Sequence, residues 1–182
     1  MWDQRSLSML FTLPDGYLIE EEKVPQVLFR CETRNEALRL ICDIAEEAAA
    51  GASAGTTIVH PDGKTIAEGF FPSLSPHFSS GLRLLPAVPP FVGTCAEAIY
   101  ERTIVTCTNI ANDTRYDAGW RQLCLGAGIA SVQSVPVFIP EKRRAVGTFV
   151  MAFRETHEVA HWKVSTMTPL ARWTGTVLDR YK

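Results

Sequence analysis

The most distinctive hydrophobic pattern of the chain lies between residues 127 and 153. Two apolar runs rich in β-branched residues are separated by the charged segment Glu141-Lys142-Arg143-Arg144. This pattern predicts a β-hairpin. The second run is apolar at nearly every position, which is typical of a central strand covered on both faces. Gly147 within it indicates a place where another backbone or a ligand comes close.

Two other stretches have the periodicity of helices. In residues 33–50, Thr33 and Glu36 fit a capping box, and Gly51 follows an apolar face made of Leu38, Ile41, Ala45 and Ala48. In residues 158–181 the apolar positions alternate spacings of four and three, which predicts a helix that packs along another helix. These positions are Ala160, Val164, Met167, Ala171, Thr174, Leu178 and Tyr181. Pro169 predicts a kink or a break in this helix.

The segments between these elements predict shorter strands and helices. Strands are expected over residues 56–60 and 65–69, on either side of a Pro-Asp-Gly-Lys turn, and over residues 104–107. Helices are expected over residues 94–101 and 116–127. Residues 70–90 read as a long loop with at most a short helix near residues 76–79, and such loops are usually functional or mobile. The order of elements predicts an antiparallel sheet with helices around it, an α+β domain.

Residues 1–30 are interpreted as an N-terminal arm or the remnant of a linker, and residues 31–182 as the domain itself. A turn signal, Pro14-Asp15-Gly16, and a charged run, residues 20–23, support an arm. The alternative is a segment that docks on the core through Val24, Val27, Leu28 and Phe29.

Composition and charge narrow the classes of function. The chain has 182 residues, of which 46% are hydrophobic, and its 18 basic and 20 acidic residues give a formal net charge of −2. We therefore expect a packed core, no nucleic-acid partner and no association with a membrane. The five cysteines form no C-x-x-C pair, which favours a reducing compartment, and the absence of a signal pattern predicts a cytoplasmic location.

Several motifs resemble those of one family. The segment Gly93-Thr94-Cys95-Ala96-Glu97-Ala98 is similar to the G-(S/T)-C-G-x-A element of bacterial GAF domains, and residues 104–113 resemble their V-V-V-x-D-I-A-x-D strand and loop. Residues 128–137 and 146–149 resemble the G-L-R-A-C-W-S-x-P-I and L-G-T-F parts of their hairpin. The match is detailed from residue 93 to residue 154 and follows the order of elements from residue 32 onwards.

The resemblance implies a GAF-like (profilin-like) fold and a sensory role. It implies an antiparallel six-stranded sheet, with the N- and C-terminal helices on one face and loops and short helices over a small-molecule pocket on the other. It also implies a homodimer through the helices of residues 33–50 and 158–181, and an output domain such as a histidine kinase or a diguanylate cyclase. The chain departs from the family motifs at Ala96, Asn109, Thr114 and the pair Val132-Gln133.

A pocket of the sensory kind would use a small set of residues. The candidates are Cys95, Asn109, Asp113, Trp120, Gln133 and Ser134. We expect a small polar or aromatic ligand between Trp120 and Gln133, with Asn109 and Ser134 forming hydrogen bonds to it. The alternative is that Trp120 belongs to the core and Gln133 faces solvent. No cofactor follows from the sequence.

Two enzymatic alternatives are weighed against this non-enzymatic role. Some GAF domains reduce free methionine sulfoxide with cysteines around the pocket. Cys95 matches one of these cysteines, but Leu85 and Gly119 stand where the other two would fall.

The zinc-protease pattern H-E-x-x-H is matched by residues 157–161, His157-Glu158-Val159-Ala160-His161. Downstream of this motif, however, the only carboxylate side chain is Asp179. We therefore expect no catalytic residues and no metal site. A third hypothesis is a protein-interaction scaffold with a closed pocket.

Overall fold

Five antiparallel strands form the sheet on which the rest of the molecule is built. The computed structural model describes residues 9–156 and 164–181, and within them the strand order is β4-β3-β7-β6-β5. The strands are β3 (Ala52–Val59), β4 (Ile66–Phe70), β5 (Val105–Cys107), β6 (Ser131–Val137) and β7 (Gly147–Phe153). The hairpin predicted from residues 127–153 is thus confirmed as β6 and β7.

Strand β7 lies in the middle of the sheet, as its unbroken apolar run predicts. All of its residues are buried, and it pairs with β3 on one side and β6 on the other. Gly147 begins the strand, and a Cβ atom there would lie 1.9 Å from the carbonyl oxygen of Thr57 on β3. The close backbone approach expected at this glycine is therefore confirmed.

One face of the sheet is covered by the two long helices, α2 (Arg34–Ala48) and α6 (Val164–Arg180). The capping box of α2 is confirmed: Thr33 Oγ1 accepts a hydrogen bond from the Glu36 amide, and the Glu36 carboxylate accepts one from the Thr33 amide, each at 3.2 Å. Side chains of both helices pack with the alternate residues Phe149, Met151 and Phe153 of β7. This is the helical face.

The described part of the N-terminal segment also packs on the helical face. It contains a small hairpin of β1 (Leu10–Thr12) and β2 (Leu18–Glu20), a 3₁₀ turn (Glu21–Lys23) and α1 (Val24–Leu28). Val24 and Leu28 are fully buried, and the ring of Phe11 meets Trp173 of α6 edge-on, with centroids 4.9 Å apart. Of the four residues named for docking, Val24 and Leu28 are thus buried, Val27 is half-buried and Phe29 is exposed.

Helix α6 buries, within the single chain, positions that were predicted to contact a second copy. Ala171, one of the positions predicted to form an intermolecular seam, is buried within the single chain, and Leu178 is partly buried against the same core. The side chains of Ala160 and Val164 lie outside the described residues. Over the described part of this helix, its apolar positions are therefore buried by the core of the same chain.

The opposite face of the sheet is covered by short helices and loops. They are α3 (Pro76–Gly81), α4 (Thr94–Glu101) and α5 (Ala118–Gly126), with the long segment between β4 and α4. Phe71, Phe78 and Leu82 from that segment pack with Val132, Val150 and Ala152 of the sheet. We call this the α4 face.

Two details differ from the sequence-based expectation. The described sheet has five strands rather than six: residues 84–87 run beside β4, but Pro86 has no amide hydrogen and Leu84 has φ 65°, so only an isolated bridge forms. Helix α6 continues through Pro169 without a break. The proline lies in the second turn, where the carbonyl that it leaves unpaired belongs to exposed Ser165 and is available to water.

A search for membrane spans among the described helices found none of sufficient length and apolar character.

Candidate functional site

The α4 face carries a group of buried hydroxyls and one thiol at the position where the sequence predicts a pocket. Strand alternation directs Thr57, Ser134 and Thr148 towards this face, and the first turn of α4 adds Thr94 and Cys95. All five are buried. We call them the hydroxyl cluster.

Members of the hydroxyl cluster satisfy one another. The Oγ1 atoms of Thr57 and Thr148 are 2.7 Å apart, and Thr94 Oγ1 lies 2.9 Å from Ser134 Oγ. Cys95 Sγ is 3.5 Å from Ser134 Oγ. Because buried polar groups are costly only when they lack partners, this cluster is stable without a ligand.

The thiols of this face are poor nucleophiles. Burial raises the pKa of the Cys95 thiol, and neighbouring hydroxyls only partly offset the effect. Burial, with the nearby Asp113 carboxylate, raises the pKa of Cys107 to about 12, and burial raises that of Cys124 as well. The reactive form of a cysteine is the thiolate, so the environment suppresses the chemistry that Cys95 would have to perform.

Trp120 closes the space that a ligand would occupy. Its side chain is only 5% exposed, and Tyr116 packs against it in a T-shaped contact with centroids 5.1 Å apart. At Gly93, the residue before α4, an added Cβ would lie 2.3 Å from Trp120 Nε1. The indole is thus packed against the backbone that leads into α4, and it belongs to the core of this face.

Asn109 and Asp113 organise the loop between β5 and α5. The Asn109 side chain accepts a hydrogen bond from the Asn112 amide at 3.3 Å. Asp113 forms a bidentate pair with Arg115, which lowers the pKa of the Asp113 carboxyl to about 2, and Arg115 also donates to the Thr106 carbonyl at 3.1 Å. Both candidate residues therefore have partners inside the loop.

The same loop is fastened to α4. The Tyr116 hydroxyl donates a hydrogen bond to the Glu97 carboxylate, and burial together with this carboxylate raises the pKa of the tyrosine. The Arg115 guanidinium lies over the Tyr116 ring, 4.9 Å from its centroid. These contacts hold the loop over the hydroxyl cluster.

Gln133 lies on the opposite side of the sheet from Trp120. It alternates with Val132 and Ser134 along β6, and it shares the helical face with Val135 and with its cross-strand neighbour Met151. The expected ligand position between Trp120 and Gln133 is therefore wrong, because adjacent residues of a strand point to opposite faces. Nor does Gln133 face solvent: it is 3% exposed.

The amide of Gln133 is incompletely paired. Its Nε2 donates to Thr106 Oγ1 at 3.1 Å, while Oε1 is buried with no hydrogen-bond partner among the described residues. Of the six candidates, the structure brings Cys95 and Ser134 into contact and places Trp120 beside them. It does not bring Asn109, Asp113 and Gln133 into one site.

Sequence reasoning missed Thr57, Thr94 and Thr148. Each is a threonine in a predicted strand or helix, and alternation alone assigns Thr57 and Thr148 to one face or the other. The contact between Thr57 and Thr148, which are 91 positions apart in the sequence, depends on the pairing of β3 with β7.

Cavities occur elsewhere on the surface. None of the six candidates lines the cavities beside α6, between β4 and α3, or between α3 and α5. A search for metal-binding groups of three or more His, Cys, Asp or Glu residues in the described ranges also found none. The H-E-x-x-H segment, residues 157–161, lies outside those ranges.

Comparison with known proteins gives one family and a set of related folds. The family model described as GAF domain matches residues 31–178. No curated protein sequence matches the chain.

Three solved structures illustrate the structural similarity. A domain described as part of a two-component sensor histidine kinase from Sinorhizobium meliloti 1021 has 15% identity and a TM-score of 0.61, covering 83% of this chain and 94% of its own. The GAF domain of a phosphoenolpyruvate-protein phosphotransferase from Acinetobacter has 12% identity and a TM-score of 0.63, covering 88% and 90%. The free methionine-R-sulfoxide reductase of Neisseria meningitidis, solved with its substrate, has 14% identity and a TM-score of 0.62, covering 88% and 87%. At such identities the similarity establishes the fold and leaves the activity to be argued from the residues.

Proposed function

Because the chain belongs to the GAF domain family, we propose that it is a sensory or regulatory module without catalytic activity. The observation that carries this proposal is the closed hydroxyl cluster beneath α4. A site for turnover needs access for a substrate and an activated group, whereas here the hydroxyls are paired with one another and the Cys95 thiol is buried.

The competing enzymatic role is reduction of free methionine sulfoxide. A reductase with this fold exists in Neisseria meningitidis. Against such chemistry here, Leu85 and Gly119 occupy the two other expected cysteine positions, and burial raises the pKa of the remaining thiols of this face. A thiol that is neither ionised nor accessible is a weak nucleophile for a sulfoxide.

A second candidate function is a protein-interaction scaffold with a closed pocket. The packing of Trp120 against Tyr116 and the backbone of Gly93 favours it, because this packing buries the indole in the core of the α4 face. The sensory and scaffold roles share the absence of catalysis and differ in whether a small molecule binds.

We propose that the signal leaves the domain through the helical face, towards an output domain. The exposed residues of α6 are polar, and the N-terminal arm shields Trp173. The homodimer expected through residues 33–50 and 158–181 stays a prediction. It would form through the polar outer surfaces of α2 and α6, or after release of the arm.

An activity assay tests the absence of catalysis. The purified chain and the variant Cys95→Ser are incubated with free methionine sulfoxide and a thiol reductant, and methionine is quantified. We expect neither protein to produce methionine above the level without protein. Turnover by the parent chain that is lost in Cys95→Ser would refute the proposal and establish a reductase.

Native mass spectrometry separates the two non-enzymatic roles. A retained small molecule, released on denaturation, favours the sensory role, whereas a bare chain that captures small molecules in no screen favours the scaffold. The same spectra report the ratio of monomer to dimer.

A further inference from the structure

A cavity of about 450 Å³ lies on the helical face, where α6 crosses the end of β6. Its floor is apolar and its rim is polar, and its lining residues are Arg102, Thr103, Ile104, Val135, Pro136, Phe138, Thr168, Ala171 and Arg172. This volume lies within the range of small-molecule sites, roughly 300–1,000 Å³. The sheet separates this cavity from the hydroxyl cluster.

The floor of the cavity is held in place by the fold. Val135 belongs to fully buried strand β6, and Ala171 is buried in α6. At Gly175, one turn further along α6, an added Cβ would lie 2.2 Å from the carbonyl oxygen of Phe138. The backbone at Phe138 is thus packed directly on the helix, while the residue as a whole stays 43% exposed and lines the cavity.

The charge of the rim is positive. Arg102 ends α4 in a left-handed conformation, with φ 57°, and its side chain makes no hydrogen bond or ion pair to the part of the chain that the structure describes. Arg172 is positioned by an ion pair with Glu21 of the N-terminal arm at 2.5 Å. No acidic residue lines the cavity, and the hydroxyls of Thr103 and Thr168 add further polar groups.

A neighbouring cavity of about 560 Å³ continues along the same helix. It shares Phe138 and Arg172 with the first and adds Lys142 and Asp179 to the charged residues. Phe138 thus borders both cavities. Of the two, the first has an apolar floor and no acidic residue in its lining, although Glu21 is the ion-pair partner of Arg172.

We propose that the first cavity binds a small organic anion, a monocarboxylate with a flat apolar body. The body would rest on Val135 and Ala171 against the ring of Phe138. The carboxylate would accept hydrogen bonds from the guanidinium groups of Arg102 and Arg172, a pairing that suits a planar anion. This proposal gives a ligand class and a location to the sensory role proposed above. Binding itself does not depend on that role; only its effect on signalling rests on the proposed function.

Phenylacetate is the probe, and its uncharged analogue phenylacetamide is the matched control ligand. Binding to the full chain is followed by methyl NMR spectra. We expect saturable shifts at Ile104, Val135 and Ala171 with phenylacetate, and affinity at least about tenfold lower for phenylacetamide, because the charge-assisted hydrogen bonds are lost.

Three variants test the site. Arg102→Gln and Arg172→Gln should each weaken phenylacetate binding about tenfold. Arg102→Gln is the cleaner of the two, because Arg172 also holds Glu21. Ala171→Leu should fill the cavity and abolish binding. Because Ala171 is also packed against the core, methyl spectra of the variant must show that the fold is retained. The control is Arg83→Gln, which removes one arginine from a different cavity of about 440 Å³ and should change affinity less than twofold.

Equal affinity for the acid and the amide would overturn the proposal. So would binding that survives both Arg102→Gln and Ala171→Leu, shifts confined to Val132 and Val150 on the α4 face, or no shift up to the solubility limit of the probe. Any of these results leaves the non-catalytic role intact, because the methionine sulfoxide assay tests that role independently.

Discussion

Replacing Gln133 with methionine should stabilise the protein, although it removes a hydrogen bond. Gln133 is buried, its Nε2 donates to Thr106 Oγ1, and its Oε1 has no partner in the part of the chain that the structure describes. An unsatisfied buried polar atom costs about 1–3 kcal/mol, and a neutral hydrogen bond contributes about 1 kcal/mol. Methionine has a similar length and no group that needs a partner. The Thr106 hydroxyl is only partly buried and has access to water.

The expected gain follows from these two terms. Subtracting the lost bond from the removed penalty leaves about 0–2 kcal/mol, so Gln133→Met should raise the free energy of unfolding by about 1 kcal/mol. Because 1 kcal/mol shifts Tm by about 2–4 °C in a domain of this size, the midpoint should rise by about 2–4 °C. Urea denaturation should show a higher midpoint with an unchanged slope.

Two further substitutions make the test specific. Gln122 is exposed on α5, so Gln122→Met should change stability by less than about 0.5 kcal/mol. Gln133→Glu would bury a carboxylate without a cationic partner and should destabilise the fold at neutral pH, with partial recovery as the acid is protonated. The reasoning is refuted if Gln133→Met lowers stability by more than about 1 kcal/mol. Such a loss would mean that Oε1 has a partner in solution, either an ordered water or a bound molecule.

Three other predictions concern the loop, the arm and the sheet. The pKa of Asp113 is lowered to about 2 by its arginine partner, so its contribution is complete above the unfolded value near 4 and is lost as the pH falls towards 2. Asp113→Asn should cost about 1–2 kcal/mol at pH 7, discounted because the arginine is half exposed, and the difference from the parent should vanish near pH 2 in urea titrations. Phe11→Ala should release the arm, at a cost of about 3–5 kcal/mol, and increase self-association measured by light scattering, whereas Leu10→Ala, at a position that is 58% exposed, should do neither. Unchanged scattering with the arm released would contradict the arm's role as a cover. Gly147→Ala should cost about 3 kcal/mol or more, because its Cβ would meet a backbone oxygen at 1.9 Å, while Gly126→Ala, with no atom within 4 Å, should be neutral or slightly stabilising in the same thermal scans; equal Tm values for the two variants would contradict the close approach.

The two faces of the sheet differ in whether they offer space for a ligand. On the α4 face, Cys95, Ser134 and Trp120 belong to a closed and internally satisfied core. On the helical face, an open cavity borders α6, the helix that ends the described chain. A ligand there would contact α6 directly, so its binding energy would act on this helix.

Local signals in the sequence determined most of the elements. The capping box at Thr33, the unbroken apolar run of β7 and the polar turn before it each lie within about twenty residues, so backbone geometry and hydrophobic periodicity are sufficient to read them. The same signals, with the family motifs, predicted the antiparallel α+β fold. They also required that Gln133 and Ser134 point to opposite faces, a consequence of strand alternation that the pocket prediction overlooked.

Only the tertiary structure decided which side chains meet on each face of the sheet. Pairing of β3 with β7 brought Thr57 to Thr148 across 91 positions, and packing of α6 on the core of the helical face buried Met167 and Ala171, whose spacing favoured a seam between two helices. The apolar positions of a helix predict that they will be buried, but they do not predict which element buries them. The reason is that the hydrophobic effect is non-directional. The cavity between Arg102 and Arg172 arises in the same way: two arginines 70 positions apart share a rim because α6 crosses the sheet at the end of β6.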